Sequence, residues 1–166
     1  SMKRHGQGGW IINVASIAGM NGVAYSGAYA ASKAAVVSMS ESWAVELKKY
    51  NIAVSALCPA FVKTRIHESL RNLQPEYKEV KNQGANKAKS GGGKNIAKEL
   101  VESGIPTSVL AKRVVEALQS GQTYIFTHPN FRAPIAYRAS LLDAAFADAE
   151  NSPIVSHLKD DEIKML

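Results

Sequence analysis

In "SGAYAASKAAV", residues 26 to 36, Tyr29 and Lys33 stand four residues apart among alanine, serine, glycine and valine. Residues i and i+4 of a helix share a face, so this spacing sets an ammonium beside a phenol. A free tyrosine titrates near pKa ~10, too high for a base at neutral pH, and a cation alongside favours the phenolate. The pair therefore suits proton transfer. Ser16, 13 residues before Tyr29, offers a hydroxyl that can hold a substrate oxygen beside the phenol. Spacing alone is a weak sign. Tyr77 and Lys81 in "YKEVK" repeat it, and Thr64 precedes Tyr77 by the same 13 residues. Context separates the two pairs: the first opens a small-residue helix that follows an apolar strand, and the second lies in a charged stretch that no strand leads into.

Those side chains need a frame. "WIINVA", residues 10 to 15, reads as a buried strand after Gly8-Gly9. A glycine- and serine-containing connection, 16 to 27, leads to a long helix from about Gly27 to Lys49, with Lys48 and Lys49 at the end where the helix dipole favours cations. "IAVSALC", 52 to 58, is a second strand, stopped by Pro59. Strand, helix, strand with short connections is a βαβ unit, so the strands are parallel and their carboxyl ends share the edge where such sheets bind ligands.

The polar region from 67 to about 105 predicts a helix from roughly Glu68 and a flexible part around Gly91 to Gly93. Ile66, Leu70, Leu73 and Tyr77 give this region, 66 to 105, the apolar contacts of a lid over a substrate pocket. Thr107 is the expected cap of a helix "TSVLAKRVVEALQS" and Gly121 its stop. "TYIFT", 123 to 127, reads as a third strand, followed by a helix near 131 to 148 and a tail, 149 to 166, whose Ile163, Met165 and Leu166 either fray, the favoured reading, or dock on a neighbour. There is no internal repeat.

The net charge of +6 raises the question of a nucleic-acid partner. Between Lys78 and Lys98 six lysines face one acid, Glu79, so the surplus is concentrated in one segment with no aromatics after Tyr77. That composition describes a solvated loop better than a base-stacking surface. The single cysteine, Cys58, cannot form an internal disulfide, and its neighbours in "VSALCP" suggest a buried thiol in a reducing compartment. No apolar run approaches the ~20 residues that span a bilayer, and "SMKRHGQGG" has no signal-peptide apolar region. A cytoplasmic protein is expected. His67 and His128 lack metal-ligand spacing, so no metal is expected, and His128 in "THP" reads as a turn residue. Tyr25 is assigned to a substrate wall or to packing.

Together these residues resemble the short-chain dehydrogenase/reductase family. "IINVASIAG" resembles the family's strand leading to its active-site serine, and "YAASK" is similar to its Tyr-x-x-x-Lys signature. "CPAFVKT" resembles its proline-glycine-x-x-x-threonine segment, and the likeness runs through "VVEALQSGQTYIFTHP" to about residue 148. It implies an α/β fold over 1–148: the C-terminal part of a Rossmann-type doubly wound parallel sheet, three strands with flanking helices. It implies that Tyr29 is the acid/base, that Lys33 lowers the tyrosine pKa and holds the nicotinamide ribose, and that Ser16 orients the substrate. Pro59, Val62 through its backbone and Thr64 through its hydroxyl would line the nicotinamide end of NAD or NADP. Ala60 stands where the family carries glycine, with less φ freedom.

The implied substrate is a small hydrophobic alcohol or ketone. The implied assembly is a homo-oligomer, dimer or tetramer, because the family pairs this small-residue helix across subunits. Two family features are not found in these residues: the strand, glycine-rich turn and helix that cradle the cofactor diphosphate, and a later relay asparagine. Gly6, Gly8 and Gly9 precede a strand and cannot present helix amides to a phosphate. The resemblance therefore implies that the N-terminal cofactor-binding half is absent and that 166 residues alone turn over little or nothing. Two other readings are a cofactor-free interaction module that keeps the fold, and a nucleic-acid binder using Lys87, Lys89 and Lys94.

Overall fold

β-Branched and small apolar residues make three parallel strands: β1 (Gly9–Val14), β2 (Ile52–Cys58) and β3 (Tyr124–Phe126), in the spatial order β1-β2-β3. The computed structural model describes residues 1–75 and 91–163. β1 and β2 run in register from Gly9 opposite Ile52 to Val14 opposite Leu57, and β2 and β3 from Ala56 opposite Tyr124 to Cys58 opposite Phe126. The parallel pairing and the α/β layering agree with the sequence reading. β3 is shorter than the predicted 123–127, although the Thr123 carbonyl still accepts the Ala56 N–H at 2.8 Å.

Every residue of β2 except Ala53 is buried, as expected for a central parallel strand covered on both faces. Helix α1 (Met2–His5) is a single turn, and α2 (Gly27–Leu47) covers one face of the sheet. On that face Val37 packs with Ala15, Ala56 and Cys58, and Leu47 with Ile52 and Val54. Helix α3 (Gly91–Glu102) is followed by α4 (Thr107–Gln119), which covers the opposite face through Ala117, packed on Leu57 and Ile125. Helix α5 (Arg132–Glu150) follows β3. Burial pushes the Cys58 thiol up to about 11, so it is an inert core group as its neighbours suggested. No helix among the described residues is long and apolar enough to cross a membrane.

Several boundaries differ from expectation. Lys48 and Lys49 belong to a 3-10 turn, Lys48–Tyr50, after which Asn51 takes a left-handed φ of 55° and sends the chain into β2. The helix expected from Glu68 is instead a 3-10 segment, Ile66–Asn72. Gly91 to Gly93, where a flexible part is expected, are the first residues of α3. Pro106, at φ −60° and ψ 146°, occupies the cap position expected of Thr107, which becomes the first helical residue without a side-chain cap bond. A proline at the cap has no side-chain acceptor for the first helical N–H groups, so α4 begins without a side-chain cap. Gly121, at φ 63°, does end α4, and its N–H donates to the Leu118 carbonyl at 3.0 Å. In the tail a 3-10 turn spans Ser156–Leu158 and Ile163 is exposed; Met165 and Leu166 lie outside the described residues.

Candidate functional site

The carboxyl ends of β1 and β2 bring Ser16 against Pro59 and Lys33 against Val14, with the Tyr29 ring near Lys33. Ser16 is extended, φ −169°, and caps a 3-10 turn, Ile17–Gly19. Its Oγ accepts the Ala18 N–H at 3.2 Å and donates to the Pro59 carbonyl at 3.5 Å. That same carbonyl accepts the Ile17 N–H at 2.9 Å. The serine turn is therefore hung from the residue just beyond β2. It also presses on α2: a Cβ on Gly19 would lie 2.7 Å from the Lys33 carbonyl oxygen, an approach only glycine permits.

Tyr29 and Lys33 lie in the first two turns of α2. The Lys33 Nζ donates to the Val14 carbonyl at 3.1 Å and stands 5.8 Å from the centroid of the Tyr29 ring. The ring itself is half exposed. One lysine thus ties the end of β1 to the opening of α2 and keeps a positive charge beside the phenol.

Val62 is buried and forms a parallel bridge with Ile105. The bridge bonds belong to its neighbours: Lys63 N–H donates to the Ile105 carbonyl at 2.9 Å, and Ile105 N–H to the Phe61 carbonyl at 3.0 Å. Val62's own N–H and C=O make no hydrogen bond among the described residues. A Cβ on Gly104 would meet the Phe61 oxygen at 2.4 Å, so this bridge depends on glycine. Gly104→Ala is expected to cost about 1–3 kcal/mol, read as a lowered urea midpoint at unchanged slope. Thr64 Oγ1 accepts the Ile66 N–H at 3.4 Å.

His128 does more than turn the chain. It caps the 3-10 turn Pro129–Phe131, and its Nδ1 accepts the Ala60 N–H at 3.4 Å while lying 2.7 Å from Thr127 Oγ1. It thereby links the end of β3 to the segment after β2. Local sequence held no sign of this, because the partner lies 68 positions away. Tyr25 is fully exposed at φ 61°, in the left-handed region, so the packing half of its assignment is not met within this chain. Glu68 bonds Arg65 at 2.7 Å, and this bond holds its carboxyl below the usual range. Tyr77, Lys81 and the lysines at 78, 87 and 89 lie outside the described residues, so the second Tyr-x-x-x-Lys pair has no geometry to compare.

The sequence pattern described as short chain dehydrogenase matches residues 1–75. A "CLA biosynthesis dehydrogenase/reductase" of Lactiplantibacillus plantarum is 32% identical over 130 residues, covering 77% of this chain and 46% of that protein. A "C alpha-dehydrogenase" of a Sphingobium species is 28% identical over 153 residues, 89% of this chain and 47% of that protein. The chain thus spans a little under half the length of these curated relatives. Among solved structures, a short chain dehydrogenase/reductase from Burkholderia phymatum in complex with NAD superposes with a TM-score of 0.73 at 28% identity, over 86% of this chain and 50% of that one.

Proposed function

We propose that this chain, which belongs to the short-chain dehydrogenase/reductase family of oxidoreductases, carries the proton-transfer and nicotinamide-facing residues of an NAD(P)-dependent enzyme that interconverts a secondary alcohol and a ketone. The observation that carries this reading is the Lys33 ammonium, fixed on the Val14 carbonyl and held beside the Tyr29 ring. Tyr29 gives its proton to the carbonyl oxygen in reduction and takes it from the hydroxyl in oxidation. Lys33 offers positive charge to the phenol oxygen as that proton leaves. Ser16 turns its hydroxyl from the long 3.5 Å bond with Pro59 to the substrate oxygen and holds it in place.

The residues present fit the nicotinamide end of such a cofactor. Among the described residues nothing bonds the N–H and C=O of Val62, a donor and an acceptor that complement a carboxamide, and Thr64 keeps its O–H. Lys33 has two N–H groups beyond its bond to Val14 for the hydroxyls of a ribose. Pro59 closes the strand end beneath them. When bound, the nicotinamide supplies or accepts the hydride. These residues do not choose between NAD and NADP.

The substrate assigned is a small hydrophobic alcohol or ketone. Met39, Trp43 and Val45 on α2 are exposed, which supports pairing of this helix with a second copy in a dimer or tetramer. Ser16→Ala tests the proposal in the protein that carries this chain. Losing one oriented hydroxyl is expected to lower kcat by about 10²-fold with the cofactor Kd unchanged, measured from nicotinamide absorbance and a cofactor titration. Wild-type kcat in this variant would count against it.

A further inference from the structure

We infer that the cavity beside Ser16 takes an apolar substrate bearing an acid group, with Arg132 as the counter-ion. This rests on the alcohol–ketone reading and narrows its substrate class. The cavity holds about 660 Å³, within the range of roughly 300–1,000 Å³ typical of small-molecule sites. Its walls are Ile17, Phe126, Phe131 and Ile135, and Ile17 directly follows the serine. Ser16, Tyr29 and Lys33 do not line the cavity themselves, so a ligand whose reacting carbon sits at Ser16 reaches these walls past Ile17.

The polar groups around the cavity are almost all in use. Arg113 donates through Nε to the Phe126 carbonyl at 3.1 Å, and its two terminal nitrogens bond Glu116 at 3.1 Å and Gln122 at 2.6 Å. Its guanidinium is a structural clamp. The His128 Nδ1 and the Thr127 hydroxyl hold each other and Ala60. Arg132 differs: it lines the cavity at the start of α5 and makes no hydrogen bond or ion pair with the described residues. No acidic residue among the described residues lines the cavity.

Arg132 is therefore an uncommitted cation on an apolar wall, and its planar fork of donors matches a carboxylate; His128 Nε2, which also has no partner among the described residues, offers a single hydrogen bond and no fork. A neutral apolar ligand uses the walls alone. An apolar acid uses the walls and Arg132.

The test is calorimetric titration of the protein that carries this chain with octanoate and with 1-octanol. Octanoate is expected to bind about fivefold more tightly, the value of a partly exposed ion pair near 1 kcal/mol. Arg132→Met removes the preference and leaves octanol as before, and Arg132→Lys retains part of it. Ala136→Phe, which fills the cavity from an exposed helix position, abolishes binding of both. Equal binding of acid and alcohol by the wild type, a preference that survives Arg132→Met, or binding untouched by Ala136→Phe overturns the inference. Binding is read without turnover, so the two proposals fail separately. A Tyr29→Phe protein that keeps both the octanoate preference and full activity sinks the proton-transfer role alone; lost turnover with no preference sinks the acid pocket alone.

Discussion

Tyr29→Phe in the protein that carries this chain is expected to lower kcat by about 10³-fold while cofactor affinity and thermal midpoint stay where they are. The substitution removes one oxygen and keeps the ring. That ring is half exposed, and its hydroxyl has no hydrogen bond among the described residues, so nothing in the fold depends on it. Lys33 keeps its bond to the Val14 carbonyl, so the cation remains in position with no phenol to serve. Initial rates, a cofactor titration and a melting curve on the same preparation separate the outcomes. A loss confined to kcat assigns the proton to Tyr29; an unchanged kcat removes that role; a lowered midpoint makes the tyrosine structural.

Ile125→Ala is expected to cost about 3 kcal/mol of folding stability. Ile125 is the centre of the three-residue β3, wholly buried against Leu57 and Ala117, with Leu110, Val114 and Leu118 of α4 around it. Truncation leaves a cavity between a rigid sheet and a helix, neither of which can close on it. For a domain with roughly 5–15 kcal/mol in total, the loss is large enough to read directly as a fall in the urea midpoint. β3 also delivers His128 to the Ala60 N–H, so the same substitution is expected to loosen the segment after β2. A cost below about 1 kcal/mol would show that α4 and the sheet are not packed as described.

The frame of the site was readable because its signals are local. The apolar run of β2, the small-residue length of α2 and the proline after Cys58 each depend on neighbours within a few residues, and the parallel pairing follows from their order. What escaped depends on distant partners. The Val62–Ile105 bridge joins two loops that no periodicity connects, and Gly104 carries a meaning only beside Phe61. His128 looked like a turn residue because its turn is local and its Ala60 partner is not. Gly91 to Gly93 run against helix propensity, yet the amphipathic turns that follow in "KNIAKELVE" draw them into α3. Arg132 differs from Arg113 only through bonds that the fold makes, those of Arg113 to Phe126 and Gln122.

The Pro59 carbonyl accepts from both Ser16 and Ile17 and Ala18 donates to the serine Oγ, so the aim of the serine is set by the residue just beyond β2 together with its own short turn. Residues 21 to 25, which join the serine turn to α2, carry none of that aim. A protein engineer could lengthen or exchange them to reshape the mouth of the pocket while the serine, suspended from another part of the backbone, keeps its bearing.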